Sequence, residues 1–301
     1  ISLYITDFPS EKLLAHKIAE ITGAAFEIDQ MLPVSGGSIN EAYQLVGHGQ
    51  RYFIKFNSAD LLVMFEAEYA GLEELYSTRT VSVPQPLLSG IIDNKSFLLL
   101  TFVEFGPSNL GSETYLGERL AELHSVQQPF FGWHRDNTIG STAQKNRRSG
   151  DWLSFWNQQR LGFQLQLALQ HGYGGRLQQS GQALQENVPF FFTDYQPQPS
   201  LLHGDLWAGN AAVDKTGMPI IFDPACYYGD READIAMTEL FGGFSAGFYS
   251  AYNASLKLDA GYRVRRDFYN LYHILNHLNL FGGGYLNQAQ GLIDRLLAES
   301  K

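Results

Sequence analysis

The chain has 301 residues, 45% hydrophobic, 14% aromatic and 17% charged, with a formal charge of −10. At that length about three quarters of the extended surface is buried on folding, which excludes a disordered tail, a fibrous repeat or a fold needing covalent staples. The acidic balance argues against nonspecific affinity for nucleic acid or an anionic membrane, yet allows nucleotide binding by a few placed cations and a metal. Cys226 is the only cysteine, so an intrachain disulfide and a cysteine-held zinc or iron–sulfur centre are ruled out. The opening residues place charges too early for a signal-peptide core, and no later window is apolar for the length of a membrane span. The expected location is cytoplasmic.

Leu14, Ile18 and Ile21 before Gly23 predict a helix over 10–23, and residues 26–34 alternate like a strand. SGGSIN at 35–40 punctuates a predicted strand pair, 39–46 and 51–57, which turns at Gly49 and places Lys55 near the end of its second strand. Leu61, Phe65, Leu72 and Leu75, interleaved with Glu66, Glu68, Glu73 and Glu74, predict a helix from Ala59 to Tyr76 that VSVPQP closes. Strands at 87–92 and 96–103 follow. The first hundred residues therefore read as a mostly antiparallel sheet with one helix inserted after its third strand.

The pattern breaks at FGPSNLGSE, residues 105–113, which sets the expected boundary between an N-terminal lobe, 1–104, and a C-terminal lobe, 105–301. Helices are predicted at 112–127, 150–171, 178–187, 245–257, 264–281 and 285–299, with short strand-like runs only at 211–214 and 218–222. Residues 128–149 show no period and include the basic cluster Lys145, Arg147 and Arg148, read as a solvated segment or a contact for an anion.

Chemistry concentrates in SLLHGDLWAGNAAVDKTGMPIIFDPACYYGDREAD, residues 200–234. His203, Asp205 and Asn210 share a short loop, and a hairpin turning at DKTG would return Asp223 beside it. Phosphoryl transfer from ATP needs a carboxylate at the acceptor hydroxyl and hard oxygen ligands for magnesium. Asp205 fits the first role, and Asn210 and Asp223 the second. The spacing matches the catalytic loop and second metal ligand of protein-kinase-like folds. SGGSIN is neither a Walker A motif nor a dinucleotide fingerprint, but Gly36, Gly37 and Ser38 lie where a phosphate-covering turn between strands would lie. Lys55 of YFIKF is placed to neutralise the α- and β-phosphates. Glu68 is the expected partner and Glu66 the reserve, because the two point about 200° apart on a helix. His203 reads as orienting the loop backbone rather than moving a proton. Glu232 and Asp234 read as first-turn helix carboxylates, with Asp230 and Arg231 turned toward the cleft. His273 and His277, four apart on one helix face, lack the positioned carboxylate of a metal motif and read as core or substrate-facing. Cys226 reads as a packing residue.

On these residues the chain resembles the fructosamine kinases, or ketosamine kinases, relatives of choline kinases and aminoglycoside phosphotransferases. The resemblance runs from GGSIN and YFIK through EAEYAGLEEL, VPQP and LAELH to HGDLWAGN and DPACYYGDREADIAMTELFGGF. It implies a two-lobed, protein-kinase-like α+β fold with the site in the cleft between lobes. It further implies ATP and Mg²⁺, with Asp205 catalytic, Asn210 and Asp223 on the metal, and Lys55 with Glu68 at the phosphates. The implied acceptor is a ketoamine phosphorylated on its sugar O3, either a free adduct or a glycated protein. Trp207, Tyr227, Tyr228, Asp230 and Arg231 are the expected lining of the sugar site. ProAla after Asp223, and no APE-like segment, argue against a protein kinase. Choline, aminoglycoside or methylthio-sugar acceptors, or a non-catalytic nucleotide-binding role, stay open.

Overall fold

The computed structural model describes residues 9–34 and 40–300, in two compact units. Residues 1–77 and 83–105 form the first, and residues 78–82 and 106–301 the second. The architecture is two-lobed α+β: an antiparallel sheet lobe, then a larger, mostly helical one.

In the first unit, α1 (Pro9–Thr22) precedes a five-stranded sheet made of β1 (Gln30–Pro33), β2 (Glu41–Gly47), β3 (Gln50–Ser58), β4 (Pro86–Ile92) and β5 (Lys95–Thr101). The strand order is β1-β2-β3-β5-β4, and every pairing is antiparallel. Helix α2 (Leu62–Thr78) is the insertion after β3. Leu14 and Ile18 of α1 pack with Leu45, Ile54, Phe56, Phe97 and Leu99 on one face of the sheet. β5 is apolar without alternation because Leu98 and Leu100, on the other face, are buried too. Lys55 lies between Ile54 and Phe56 on β3, so the two-residue period turns it to that second face.

The second unit opens with α3 (Leu110–His124), capped by the Asn109 side chain, which accepts from Ser112 N. Residues 128–149, which carried no period, contain a small hairpin of β6 (Asn137–Ile139) and β7 (Thr142–Gln144). Helices α4 (Trp152–Trp156) and α5 (Gly162–Gln170) are joined by a π-turn at Asn157–Leu161, and α6 (Arg176–Asn187) follows. Then come β8 (Ser200–Leu202), the hairpin of β9 (Ala211–Val213) and β10 (Pro219–Ile221), and β11 (Tyr227–Gly229), which pairs back on β8. Helices α7 (Arg231–Leu240), α8 (Ala246–Ser255), α9 (Tyr262–Phe281) and α10 (Leu286–Glu299) complete the unit. Its core is aromatic around Trp152, Trp156, Phe268 and Tyr269. Among the described residues no helix is long and apolar enough to cross a membrane.

Candidate active site

In the first unit, Lys55 Nζ donates to Glu68 Oε1 at 2.7 Å, and both side chains are largely withdrawn from water. Glu68 shares the inward stripe of α2 with Phe65, Leu72 and Leu75, so a carboxylate there needs a cation. Glu66 lies off that stripe. Gly36, Gly37 and Ser38 lie outside the described residues.

In the second unit, the pairing of β8 with β11 brings the start of the loop 203–210 against the segment after Asp223. Ala225 N donates to His203 O at 2.8 Å, and Phe222 N donates to Asn210 O at 3.0 Å. Gly204 has φ +84°, and a Cβ there would sit 2.0 Å from the Ala225 carbonyl oxygen, so only glycine fits between His203 and Asp205. Asn210 Nδ2 donates to the Asp205 carbonyl at 2.9 Å and to Asp205 Oδ2 at 3.3 Å. Burial pushes the Asp205 carboxyl up to about 7; the charge of Asp223 adds to this and the Asn210 hydrogen bond opposes it. Asp223 is exposed and adopts φ +56°, a left-handed conformation costly for a residue with a Cβ.

His203 is fully buried. Its Nε2 lies 2.9 Å from the Phe222 carbonyl, and Asp205 N donates to its Nδ1 at 3.3 Å. Those partners require the neutral ring with hydrogen on Nε2, and burial lowers its pKa accordingly. Asp234, on α7, grips the loop start: Oδ2 accepts from His203 N at 2.7 Å and Oδ1 from Gly204 N at 2.8 Å. His124 Nε2 lies 3.2 Å from Asp234 Oδ2, and Tyr252 Oη 2.7 Å from His124 Nδ1. Burial alone would raise the Asp234 carboxyl, but His124, His203 and the Gly204 amide hold it below the usual range.

The expected lining of the sugar site is corrected by burial. Tyr227 and Tyr228 are each 3% exposed, and Asp230 is wholly enclosed. Asp230 caps α7 by accepting from Glu232 N, and takes the hydroxyls of Tyr195 and Tyr269 as well. Arg231 donates to the carbonyls of Leu256 and Lys257, closing the end of α8. Glu232 and Asp234 do not serve their own helix's amides: Glu232 takes the buried Arg265 fork, and Asp234 holds the loop. Glu232 and Asp234 do stand in the first turn of α7, as expected, while Asp230 is its N-cap and does not face the cleft. Trp207 alone of the five is well exposed, at 38%. Its ring continues into Phe241 at 6.2 Å, then His277 at 4.8 Å, the residue expected to be core or substrate-facing, with Phe281 and Tyr285 at 5.4 and 5.2 Å from His277. Phe241 follows α7 without a period to mark it. In the basic segment, Lys145 pairs with Asp136 at 2.9 Å and Arg148 lies over the Phe130 ring. Cys226 is buried.

The donor set suits a hard cation. Asn210 spends its amide hydrogens on Asp205, which leaves Oδ1 as a ligand, and Asp223 supplies a carboxylate. Among the described residues no three His, Cys, Asp or Glu side chains gather to hold a metal alone. One carboxylate and one amide oxygen, completed by phosphates and water, is how magnesium is bound at nucleotides.

A two-lobed α+β chain with this Asp–Asn loop and a following hairpin aspartate has the protein-kinase-like phosphotransferase fold. More narrowly, the chain belongs to the fructosamine kinase family, whose model matches residues 10–299, and so to the ATP-dependent small-molecule kinases. A Synechocystis protein described as a ketoamine kinase is 46% identical over 285 residues, covering 94% of this chain and 96% of the relative. A chloroplastic protein-ribulosamine 3-kinase of Arabidopsis thaliana is 44% identical over 278 residues, 91% of this chain and 85% of its own. A crystal structure assigned as a fructosamine-3-kinase of Haemophilus somnus superposes with TM-score 0.88 at 31% identity, covering 96% of this chain and 99% of that one.

Proposed function

We propose that the protein transfers the γ-phosphoryl group of ATP to the sugar O3 of a ketoamine, a ribulosamine, erythrulosamine or fructosamine adduct, and so promotes loss of the sugar from the amine. The observation that carries the reading is the Asp205 carboxylate, hydrogen-bonded to Asn210 and within range of the charge of Asp223. Asp205 orients the hydroxyl and accepts its proton as the O3–P bond forms and the bond from the γ-phosphorus to the β,γ-bridging oxygen breaks. Asn210 and Asp223 would hold Mg²⁺, which when bound neutralises charge on the phosphate oxygens. Lys55, held in place by Glu68, serves the α- and β-phosphates, and Gly36, Gly37 and Ser38 are assigned to the turn that covers them. His203 and Asp234 fix the loop that carries Asp205.

The acceptor lies against Trp207 and the rings that extend from it. Flat apolar faces suit a sugar ring, and a protonated amine is attracted to their π-faces. The family and the names of its relatives favour ketoamines over other cationic alcohols. The test is ADP release with ribulose-lysine, fructose-lysine, choline and kanamycin in parallel. Turnover of a ketoamine is expected; turnover of choline or kanamycin with neither ketoamine used would overturn the substrate assignment.

A further inference from the structure

The hairpin β6–β7 presents two amide side chains, Asn137 and Gln144, directly opposite each other, and buries both. Polar side chains at such positions need partners, and theirs belong to the segment after Asp223. Asn137 Nδ2 donates to the Cys226 carbonyl at 2.8 Å, and Gln144 Nε2 to the Ala225 carbonyl at 3.0 Å. Gln144 Nε2 also donates to Asn137 Oδ1 at 2.9 Å.

The direction of each amide is dictated from behind. Arg160, on the π-turn, is fully buried, and its guanidinium lies 4.1 Å from the centre of the Tyr227 ring. An arginine has only donors, so it fixes the polarity of the chain it starts. Arg160 Nη2 donates to Asn146 Oδ1 at 2.7 Å, and Asn146 Nδ2 to Asn137 Oδ1 at 2.8 Å, which leaves Asn137 Nδ2 for Cys226. Tyr272 Oη donates to Gln144 Oε1 at 2.8 Å, which leaves Gln144 Nε2 for Ala225. Only Asn137 and Gln144 donate to the backbone at 225 and 226; Arg160, Asn146 and Tyr272 set the direction in which those two amides point.

That backbone lies two and three residues beyond Asp223, which adopts the left-handed conformation. A strained residue of this kind persists only where its neighbours over-determine it. On the near side Phe222 is tied to Asn210 and His203, and Ala225 N to His203. On the far side the ties are Gln144 and Asn137. We propose that Gln144 and Asn137 are positioning residues that set the backbone of Asp223 for metal binding. The kinetic half of this inference rests on the reading of Asp223 as a magnesium ligand; the structural half does not.

The test uses the full-length wild type, Gln144→Glu and Tyr272→Phe. Gln144→Glu turns an acceptor oxygen on the Ala225 carbonyl; Tyr272→Phe only frees the Gln144 amide to rotate. In metal-free protein, amide hydrogen exchange over residues 222–226 should quicken about tenfold or more in Gln144→Glu and less in Tyr272→Phe, with α7 unchanged. The Mg²⁺ concentration for half-maximal ATP binding should rise in the same order, and metal-free ATP binding should not move. If Gln144→Glu fails to fold, Tyr272→Phe carries the comparison. Unchanged exchange in folded variants, or faster exchange with an unmoved Mg²⁺ midpoint, would overturn the proposal. Wild-type ATP binding indifferent to Mg²⁺ would overturn the reading of Asp223 itself, and the exchange experiment separates that failure because it is read without metal.

Discussion

The carboxylate of Asp234 accepts the backbone N–H of Gly204 at 2.8 Å, so a side chain on α7 holds the residue immediately before the proposed catalytic aspartate. The same carboxylate takes the His203 amide and faces His124. Positioning catalysis needs this rigidity, because the loop itself consists of a few residues with little regular structure.

Asp234→Ala leaves two buried amides and an imidazole without their acceptor. We expect a loss of roughly 3 kcal/mol in stability, as for breaking a buried pair. In protein that remains folded, kcat should fall more than the KM for ATP rises. Urea denaturation and steady-state kinetics on the purified variant check both; unchanged stability would mean the carboxylate carries no load in the loop.

Lys55→Met removes the cation from the buried face of β3 and breaks its 2.7 Å ion pair with Glu68. We expect kcat/KM for ATP to fall about 10²–10³-fold, the usual loss for a positioned charge donor. Glu68→Gln should act in the same direction by a smaller factor, since it keeps a hydrogen-bond acceptor for Lys55. Equal activity of all three proteins would remove the pair from nucleotide binding.

Trp207→Ala should raise the KM for the acceptor more than that for ATP, and Phe281→Ala should do so to a lesser degree. Initial rates with each substrate varied in turn measure this. An acceptor KM that stays put in Trp207→Ala takes the ring out of the acceptor surface.

His273 is buried, and its pKa falls to about 3, first through burial and then through the neighbouring His277. A histidine whose folded pKa lies below its unfolded value near 6.5 favours folding above pH 6.5, and that stability is lost as pH falls toward 3. The slope approaches about 1.4 kcal/mol per pH unit. Asp205, pushed up to about 7, runs the opposite way over part of this range, so the quantity to measure is the difference between wild type and His273→Gln. Denaturation at pH 7.5 and 5.5 should show the wild type losing about 1 kcal/mol more than the variant. Parallel losses would contradict a buried neutral His273.

Much of this site was legible in the sequence, and what escaped has physical reasons. Lys55 stood out by its place on a strand between a glycine-rich turn and an acidic helix, and since Glu66 and Glu68 point about 200° apart only one could face it, which in the structure is Glu68. The hairpin at 137–144 escaped because strands of three residues are too short for a two-residue period to register. Of its four inward side chains two, Asn137 and Gln144, are amides serving carbonyls, and one, Ile139, is apolar. Asp230 was taken as facing the cleft, although an aspartate opening READIAMTEL fits an N-cap, the role the structure gives it. The task of Asp234 depends on the short β8–β11 pairing, which nothing local in sequence announces.

The account turns on Asp205. The most direct measurement compares wild type and Asp205→Asn for kcat with a ribulosamine or fructosamine acceptor and, in parallel, for ATP affinity. Loss of a positioned base predicts kcat lower by about 10²–10⁴-fold, with ATP affinity nearly unchanged. Near wild-type turnover by Asp205→Asn would contradict it.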